Sequence, residues 1–170
     1  MPPETDAKLF EDLMAFHEAV FRICLGFTRN PTDAEDLCQD IYLKACGRLG
    51  HLRQASSARE WLYRIARTTC LDQARRRRLL RPSGSPLQPE DIPDMRTPES
   101  LALAREQQAL LKTAVGRLPR KLREVFVLRE YGQLSYEEMS RVLGAKAGTV
   151  MSRLNRARAA IARQVREGGA

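Results

Sequence analysis

The stretch LSYEEMSRVLGAKAGTVMSRLNRARAAI, residues 134–161, contains two short amphipathic helical patterns separated by a glycine. Ser135 and Glu138 have the spacing of a capping box, which fixes the start of the first helix. Gly144 follows that helix and can adopt the left-handed conformation that ends it. The stretch therefore predicts a helix-turn-helix.

The second helix of this motif has two chemically different faces. Val150, Leu154, Ala157 and Ile161 recur at helical spacing and form its inward stripe. The opposite face is polar and basic, which suits hydrogen bonding to base edges and phosphates in a major groove. A solvated helical hairpin would show the same pattern, so this alternative stays open. The outer face and its flanks comprise Gly148, Thr149, Met151, Ser152, Arg153, Asn155, Arg156 and Arg158.

Composition and charge narrow the class of protein. The chain has 170 residues, of which 43% are hydrophobic and 29% charged, an ordinary balance for a soluble protein with a packed core. Its net charge of +8 indicates a polyanionic partner. Basic residues are concentrated in 48–81 and 117–170, whereas 1–47 and 82–116 are acidic. We see neither a secretory signal nor a membrane-spanning run, and we expect a cytoplasmic protein without membrane insertion.

The four cysteines lack metal-binding or redox spacing, and each falls in a helical pattern. We expect reduced, buried thiols. A metal or redox site is disfavoured, because only His17 and His51 could supplement the thiols, and we predict no cofactor and no small-molecule substrate. The cysteines are Cys24, Cys38, Cys46 and Cys70.

Helical periodicity extends over the remaining chain, and strand-type alternation appears nowhere. One apolar face runs from Leu9 to Phe27 and predicts a single helix there. A second helix begins at Asn30-Pro31, with Asn as N-cap and Pro at the first helical position. A third extends from about Ala58 to Arg78, after a predicted loop over 50–57.

Residues 81–97 hold four of the nine prolines and predict a flexible linker. Helical patterns resume at Pro98 and again after Leu118-Pro119. We therefore predict an all-α protein of two small helical domains, 1–80 and 98–170, of which the C-terminal one is a helix-turn-helix domain.

The second helix carries a further stripe away from its apolar face, at positions i, i+3, i+4 and i+7. The stripe is acidic and includes a leucine, so it suits a protein partner better than DNA. An equal alternative is that these acidic residues form an ordinary solvated helix surface without a partner. The stripe consists of Asp36, Gln39, Asp40 and Leu43.

The third helix interleaves bases with aromatic residues. Arg59, Arg64 and Arg67 precede the run at 75–78, and Trp61 and Tyr63 lie among them. Stacking combined with positive charge is what melted nucleic acid requires. For Trp61 the alternative is simple packing in the core. For the arginines at 75–78 it is a solvated helix end that the helix dipole stabilises.

These motifs together resemble the extracytoplasmic-function class of bacterial RNA polymerase sigma factors. The resemblance lies in DAEDLCQD (33–40), EWLYRIAR (60–67), LSYEE (134–138) and the segment 148–158, which occur in the family's order. It covers nearly the whole chain. The last two segments form one helix-turn-helix motif, and three motifs with a linker are far more specific than a helix-turn-helix alone.

The resemblance implies a promoter-specificity subunit that is not an enzyme. Its first domain would bind the clamp helices of the largest polymerase subunit through Asp36, Gln39, Asp40 and Leu43. That domain would also open the minus-ten element, and the loop at 49–57 would lie near the melted strand. The minus-ten residues are Trp61, Tyr63, Arg64, Arg67, Thr68, Arg75 and Arg76.

The second domain would read the minus-thirty-five element as duplex and contact the polymerase flap, while the linker threads toward the active cleft. An anti-sigma factor that covers these surfaces is the further expected partner. The residues expected on the upstream promoter DNA are Lys146, Thr149, Met151, Ser152, Arg153, Asn155, Arg156 and Arg158.

Two other classes of protein compete with this hypothesis. A stand-alone helix-turn-helix regulator would bind its operator tightly without polymerase, usually as a symmetric dimer. A DNA-processing enzyme would need an activated nucleophile or a carboxylate metal site. The first half of the chain offers no such constellation, no phosphate-binding glycine loop and no βαβ pattern.

Overall fold

The protein is described by a computed structural model, which covers residues 4–52, 57–80 and 98–168. These residues form helices without any strand, as the all-α prediction requires. The predicted linker, 81–97, and positions 53–56 lie outside the described residues. The helices are α1 (Glu4–Met14), α2 (His17–Thr28), α3 (Pro31–Cys46), α4 (Leu49–Leu52), α5 (Ala58–Leu80), α6 (Pro98–Arg117), α7 (Arg120–Glu130), α8 (Tyr136–Leu143) and α9 (Ala147–Gly168).

The single helix predicted over 9–27 is wrong, because the chain breaks between α1 and α2. The Phe16 N–H donates to the Leu13 carbonyl at 3.0 Å, an i→i−3 bond that tightens the turn. The Tyr42 hydroxyl from α3 donates to the same carbonyl at 3.1 Å. The apolar periodicity crosses the break unchanged, so the pattern could not reveal it.

Helices α3 and α5 begin and pack as their sequences predict. The Asn30 side chain accepts the Asp33 N–H at 3.0 Å, and Pro31 occupies the first turn of α3. Every predicted inward residue of the two helices is buried. These residues are Ala34, Leu37, Ile41 and Ala45 on α3, and Leu62, Ile65, Ala66 and Thr69 on α5.

The predicted loop over 50–57 needs a correction. Its first residues belong to α4, a single helical turn whose Leu49 and Leu52 are buried. Burial of two leucines stabilises a turn that has little helical signal of its own, since Gly50 is a poor helix former.

The junction of α6 and α7 is held by one arginine. Arg123 donates to the carbonyls of Val115 at 3.2 Å and Leu118 at 3.1 Å, and also to that of Gly116. These carbonyls have no further helical turn to accept from, so the guanidinium caps the end of α6. Burial lowers the pKa of Arg123, and the nearby Arg29 adds to this shift.

The two halves of the chain, α1–α5 and α6–α9, share one core and pack directly against each other. Gly26 on α2 permits this approach, because a Cβ there would lie 2.8 Å from the side chains of Val127 and Tyr131 on and after α7. A glycine inside a helix costs about 1 kcal/mol relative to alanine. Close helix contact is the structural reason for it here.

Three of the four cysteines are buried, as predicted, but Cys46 is exposed. The Sγ atoms of Cys24 and Cys70 lie 3.9 Å apart between α2 and α5, and both thiols are free. The hydrogen bond with Cys70, together with burial, raises the pKa of Cys24. Burial raises the pKa of Cys38 to about 12. Among the described residues, no helix is long and apolar enough to span a membrane.

Candidate functional site

The corner between α8 and α9 has the geometry that its sequence predicts. Ser135 accepts the Glu138 N–H at 3.2 Å while the Glu138 carboxylate accepts the Ser135 N–H at 2.7 Å, which completes the capping box. Gly144 ends α8 with a φ of 62°. The Ala145 N–H donates to the Ser140 carbonyl at 3.1 Å, so the corner is closed by backbone bonds.

The first three turns of α9 present a polar surface opposite a buried stripe. Val150, Leu154, Ala157 and Ile161 are buried against α6, α7 and α8. The outward side chains are exposed, apart from Arg153, which is half-buried. The helix is thus held by its apolar stripe while the opposite side stays open to a partner. This α9 face consists of Lys146, which directly precedes the helix, and of Thr149, Met151, Ser152, Arg153, Asn155, Arg156 and Arg158.

Arg158 differs from the other members of the α9 face because it is ion-paired within the protein. Its guanidinium donates to Glu130 at the end of α7 at 2.8 Å. This hydrogen bond with Glu130 raises the pKa of Arg158. Glu130 therefore competes with a phosphate for this arginine, which the helical spacing alone could not show.

The stripe on α3 is exposed throughout, and its leucine is the most unusual member. Leu43 is 71% exposed, although a leucine on a structured helix normally contributes to a core. Asp36, Gln39 and Asp40 accompany it on the same side. An exposed apolar residue among acids is typical of a protein-binding surface.

An apolar groove of about 500 Å³ runs beside this stripe, between α1, α2 and α3. Leu43 and Gln39 belong to its rim, so the stripe and the groove form one continuous surface. The exposed Met14 lies at its other side. Phe10, Phe21 and Tyr42 are among the residues that line it. We call this surface, the stripe with the groove, the docking face.

Only some of the residues predicted on α5 to bind the melted strand are exposed to solvent. Arg64, Thr68, Arg75 and Arg76 are exposed, as melted DNA would require. Tyr63 is 1% exposed, with its ring 6.4 Å from that of Phe16 in an edge-on contact. Trp61 is half-buried and packs against the core, which agrees with its predicted alternative role.

Arg67 is also engaged within the protein. It donates two hydrogen bonds to the Glu124 carboxylate on α7, at 3.0 Å from Nε and 2.9 Å from Nη2. Glu124 is only 3% exposed, and Arg120 pairs with its other oxygen at 3.4 Å. A buried carboxylate needs such cationic partners, because its desolvation is otherwise costly.

Two more ion pairs connect α5 with α8. Arg141 binds the Glu60 carboxylate bidentately at 2.9 Å and 2.8 Å. Arg59 pairs with Glu138, the capping-box residue. Glu60 is 5% exposed, so the structure buries a carboxylate that periodicity gave no reason to select.

Glu60, Glu124 and Arg141 were missed by sequence reasoning. Glu60 lies in the first turn of α5, where an acidic residue is common because the helix dipole stabilises a negative charge. Its partner Arg141 is 81 residues away. No local pattern connects residues at that separation, so only the packed structure reveals the pairing.

Each half of the chain matches a known family model. A family model described as "Sigma-70 region 2" matches residues 13–79, and "Sigma-70, region 4" matches residues 108–161. The RNA polymerase sigma-H factor of Pseudomonas aeruginosa is 33% identical over 168 residues, which cover 92% of this chain and 86% of that protein. The chain belongs to the extracytoplasmic-function class of sigma-70 family sigma factors.

Other relatives agree with this assignment. The ECF RNA polymerase sigma-E factor of Escherichia coli K12 is 33% identical over 141 residues, which cover 78% of this chain and 74% of that protein. A solved structure of the sigma factor RpoE in complex with the anti-sigma factor NepR, from Bartonella quintana, superposes with a TM-score of 0.74. That match has 25% identity and covers 92% of this chain and 95% of the other.

Membership in this family settles the general role of the sigma factor. It directs promoter-specific transcription initiation with RNA polymerase, and it does so by binding and not as an enzyme. The predicted resemblance, the all-α fold and the general function are thus confirmed. The roles of individual side chains, by contrast, depend on the geometry described above.

Proposed function

We propose that residues 1–80 form the region 2 type domain and that its docking face binds the clamp helices of the largest polymerase subunit. Asp36, Gln39, Asp40 and Leu43 supply the exposed part of this face. The apolar groove beside them gives Leu43 a continuous surface with which to bury a partner's side chains. The acidic residues then give the contact its orientation and specificity.

The same domain captures the melted minus-ten strand along α5. Arg64, Thr68, Arg75 and Arg76 are exposed and can reach a phosphate backbone. Trp61, Tyr63 and Arg67 belong to the same proposed set for stacking and charge, although in this structure Trp61 and Tyr63 pack within the protein and Arg67 is bound to Glu124. Capture of unstacked bases offsets the few kcal/mol that each unstacked step costs.

Residues 98–170 form the region 4 type domain, which reads the minus-thirty-five element as duplex. One observation carries this assignment: α9 buries its apolar stripe and leaves Thr149, Ser152, Asn155 and Arg156 exposed on one side. A helix held this way can enter a major groove with donors directed at base edges. Met151, Arg153, Lys146 and Arg158 flank these residues.

The remaining partners are proposed by analogy with the family. We expect the region 4 type domain to contact the polymerase flap. An anti-sigma factor binds the chain when transcription is not required, as NepR binds RpoE in the matching structure. We accordingly propose a cytoplasmic location, where RNA polymerase acts.

Run-off transcription with core polymerase tests the docking face. Asp40→Arg reverses an exposed charge at the centre of the stripe, and we expect it to abolish association with core polymerase. Glu167→Arg makes the same charge change at the far end of α9 and should transcribe as wild type. If Asp40→Arg transcribes normally, the stripe is not the docking surface.

Upstream readout is tested with promoters that carry single base changes in the minus-thirty-five element. Arg156→Ala should reduce transcription from the preferred promoter and lose discrimination worth about 1–3 kcal/mol at one base pair. Arg166→Ala, in the last turn of the same helix, is the matched control. Equal discrimination by Arg156→Ala and wild type would remove Arg156 from the base-reading set.

A further inference from the structure

Met151 is an apolar side chain on a surface that is otherwise polar and basic. In α9, which the structure describes from Ala147 to Gly168, it is the only large apolar side chain that is exposed, at 47%. It lies at one edge of the outward side of the helix, about one turn after Gly148 and one turn before Asn155. A methionine in this position needs a reason, because exposed apolar surface is unfavourable in water.

Packing within the protein does not account for this side chain. A long helical side chain lies over the turn N-terminal to its own Cα, which for Met151 is the turn that contains Gly148. A Cβ at Gly148 would nevertheless meet nothing within 4 Å. Met151 therefore does not pack down onto this turn, and open space lies beside it. An unbranched, polarizable thioether next to open space can adapt to a group that a partner presents.

The charge around Met151 indicates what kind of partner this is. The members of the α9 face are polar or basic, and none of them is acidic. The docking face differs in this respect, because Leu43 lies there among acidic residues and beside an apolar groove. Cationic surroundings favour a polyanion. We therefore assign Met151 to DNA and not to a protein partner.

Thymine is the base that matches a methionine in the major groove. It alone presents an apolar group there, the C5 methyl. A thioether donates no hydrogen bond and accepts only weakly, so Met151 would leave the guanine acceptors or the amino groups of cytosine and adenine unpaired. Contact with a thymine methyl instead removes apolar surface of both partners from water.

The neighbouring Asn155 supports the same choice of base pair. It is exposed and lies four residues after Met151, so the two side chains share one edge of the helix. An asparagine amide pairs bidentately with N6 and N7 of adenine. This edge of α9 therefore favours A·T pairs, through the adenine at Asn155 and the thymine methyl at Met151.

We propose that Met151 reads the C5 methyl of a thymine in the minus-thirty-five element, so that this sigma factor selects thymine at one position of that element. The inference deepens the proposed function and rests on it, since α9 must enter the major groove. It makes Met151 a specificity-determining residue that acts by apolar contact, whereas its neighbours act by hydrogen bonds.

Replacement of thymine by deoxyuridine tests the contact, because it removes the C5 methyl and keeps the base pair. Holoenzyme, assembled from the full-length chain and core polymerase, first selects its preferred minus-thirty-five element from a promoter library. Each thymine of that element, on either strand, is then replaced in turn by deoxyuridine. Fluorescence anisotropy at one fixed salt concentration gives the dissociation constant of the holoenzyme for each duplex.

We expect one of these replacements to weaken binding by wild-type holoenzyme roughly fourfold, which is the effect of one buried methyl group. Met151→Ala should weaken binding to the thymine duplex at least as much and should no longer distinguish thymine from deoxyuridine at that position. Met151→Leu keeps an apolar side chain and should retain most of the distinction. Leu111→Ala, which truncates an exposed apolar side chain on α6, is the control and should respond as wild type.

Two results would overturn the methyl contact. One is a preferred element in which no deoxyuridine replacement weakens binding. The other is a deoxyuridine effect of equal size in wild type and Met151→Ala, since the methyl would then act through the shape of the duplex and not through Met151.

Arg156→Ala, measured on promoters with single base changes, separates this inference from the proposed function. If Arg156→Ala loses discrimination while Met151→Ala and wild type respond equally to deoxyuridine, the methyl contact is overturned and readout by α9 stands. If neither variant changes the recognition of any base pair in the element, α9 does not read the element and both proposals fail.

Discussion

The Glu138 side chain makes two different interactions, one within its own helix and one with α5. Its carboxylate completes the capping box of α8 by accepting the Ser135 N–H, and it also pairs with Arg59 on α5. The hydrogen bond from the Ser135 backbone is the largest cause that lowers the pKa of Glu138, and Arg59 adds to it. The ion pair with Arg59 requires the ionised form, and ionisation also strengthens the hydrogen bond from the Ser135 N–H.

This lowered pKa predicts a pH dependence of stability. A carboxyl group whose pKa is lower in the folded state stabilises the protein above its unfolded value of about 4.3, and this contribution is lost as the pH falls through the folded value. We expect Glu138→Gln to reduce the free energy of unfolding at pH 7 and to flatten its decline below pH 5. Glu137→Gln, at an exposed position, is the control in pH-dependent urea unfolding.

The cysteines make a second prediction about individual residues. Cys46 is exposed, whereas burial raises the pKa of Cys38 to about 12 and also contributes to the raised pKa of Cys24. Only thiolates alkylate rapidly, so iodoacetamide should modify Cys46 first and leave the buried thiols intact. Mass spectrometry after timed labelling, with and without urea, measures this order. Early modification of Cys24 in the folded chain would contradict it.

At the scale of elements, α1 is attached to α3 by few specific contacts. Tyr42 donates to the Leu13 carbonyl at 3.1 Å, and its ring meets Phe10 edge-on with centroids 6.1 Å apart. His17, at the start of α2, stacks on the same ring at 5.7 Å. One tyrosine therefore positions both sides of the α1–α2 break and one wall of the docking face.

Removal of the Tyr42 hydroxyl should loosen this attachment. Tyr42→Phe deletes a buried hydrogen bond, and we expect a loss of about 0.5–1.5 kcal/mol in the free energy of unfolding. Amide hydrogen exchange should accelerate in α1 more than in α5, because only α1 loses its anchor. Tyr136→Phe, a half-buried tyrosine of the C-terminal half, is the control and should leave exchange in α1 unchanged.

At the scale of the whole molecule, the chain has a net charge of +8, but several of its arginines are paired with carboxylates of the protein itself. Arg67, Arg141 and Arg158 are bound to carboxylates of the protein itself, whereas Arg156 has its side chain exposed on the α9 face. Counting basic residues therefore overestimates the charge that is directly available to DNA.

Salt dependence of duplex binding should reveal this difference. Each phosphate contact contributes about 0.9 to the slope of log affinity against log salt. We expect Lys146→Ala, which removes an exposed cation that flanks the base-reading residues, to reduce the slope by nearly that amount, and Arg158→Ala to reduce it less, because Glu130 already neutralises Arg158. Holoenzyme binding to a minus-thirty-five duplex at several salt concentrations gives both slopes. A larger effect of Arg158→Ala would contradict the pairing.

The sequence by itself determined the helical class, most helix starts, the buried stripes of α3, α5 and α9, and the helix-turn-helix corner. These features depend on residues within one or two turns of each other, as with Asn30 and Asp33 or Ser135 and Glu138. Local hydrogen bonds and a 3.6-residue period carry that information.

Only the tertiary structure decided the break after α1, the burial of Tyr63 and the ion pairs between the two halves. The Tyr42 hydroxyl, from α3, donates to the Leu13 carbonyl at the break, and an ion pair joins Glu60 to Arg141 across 81 residues. Ion pairs and close helix contacts at such separations have no period in the sequence. They arise because packing removes water from these carboxylates, and a buried carboxylate without a cationic partner would strongly destabilise the fold.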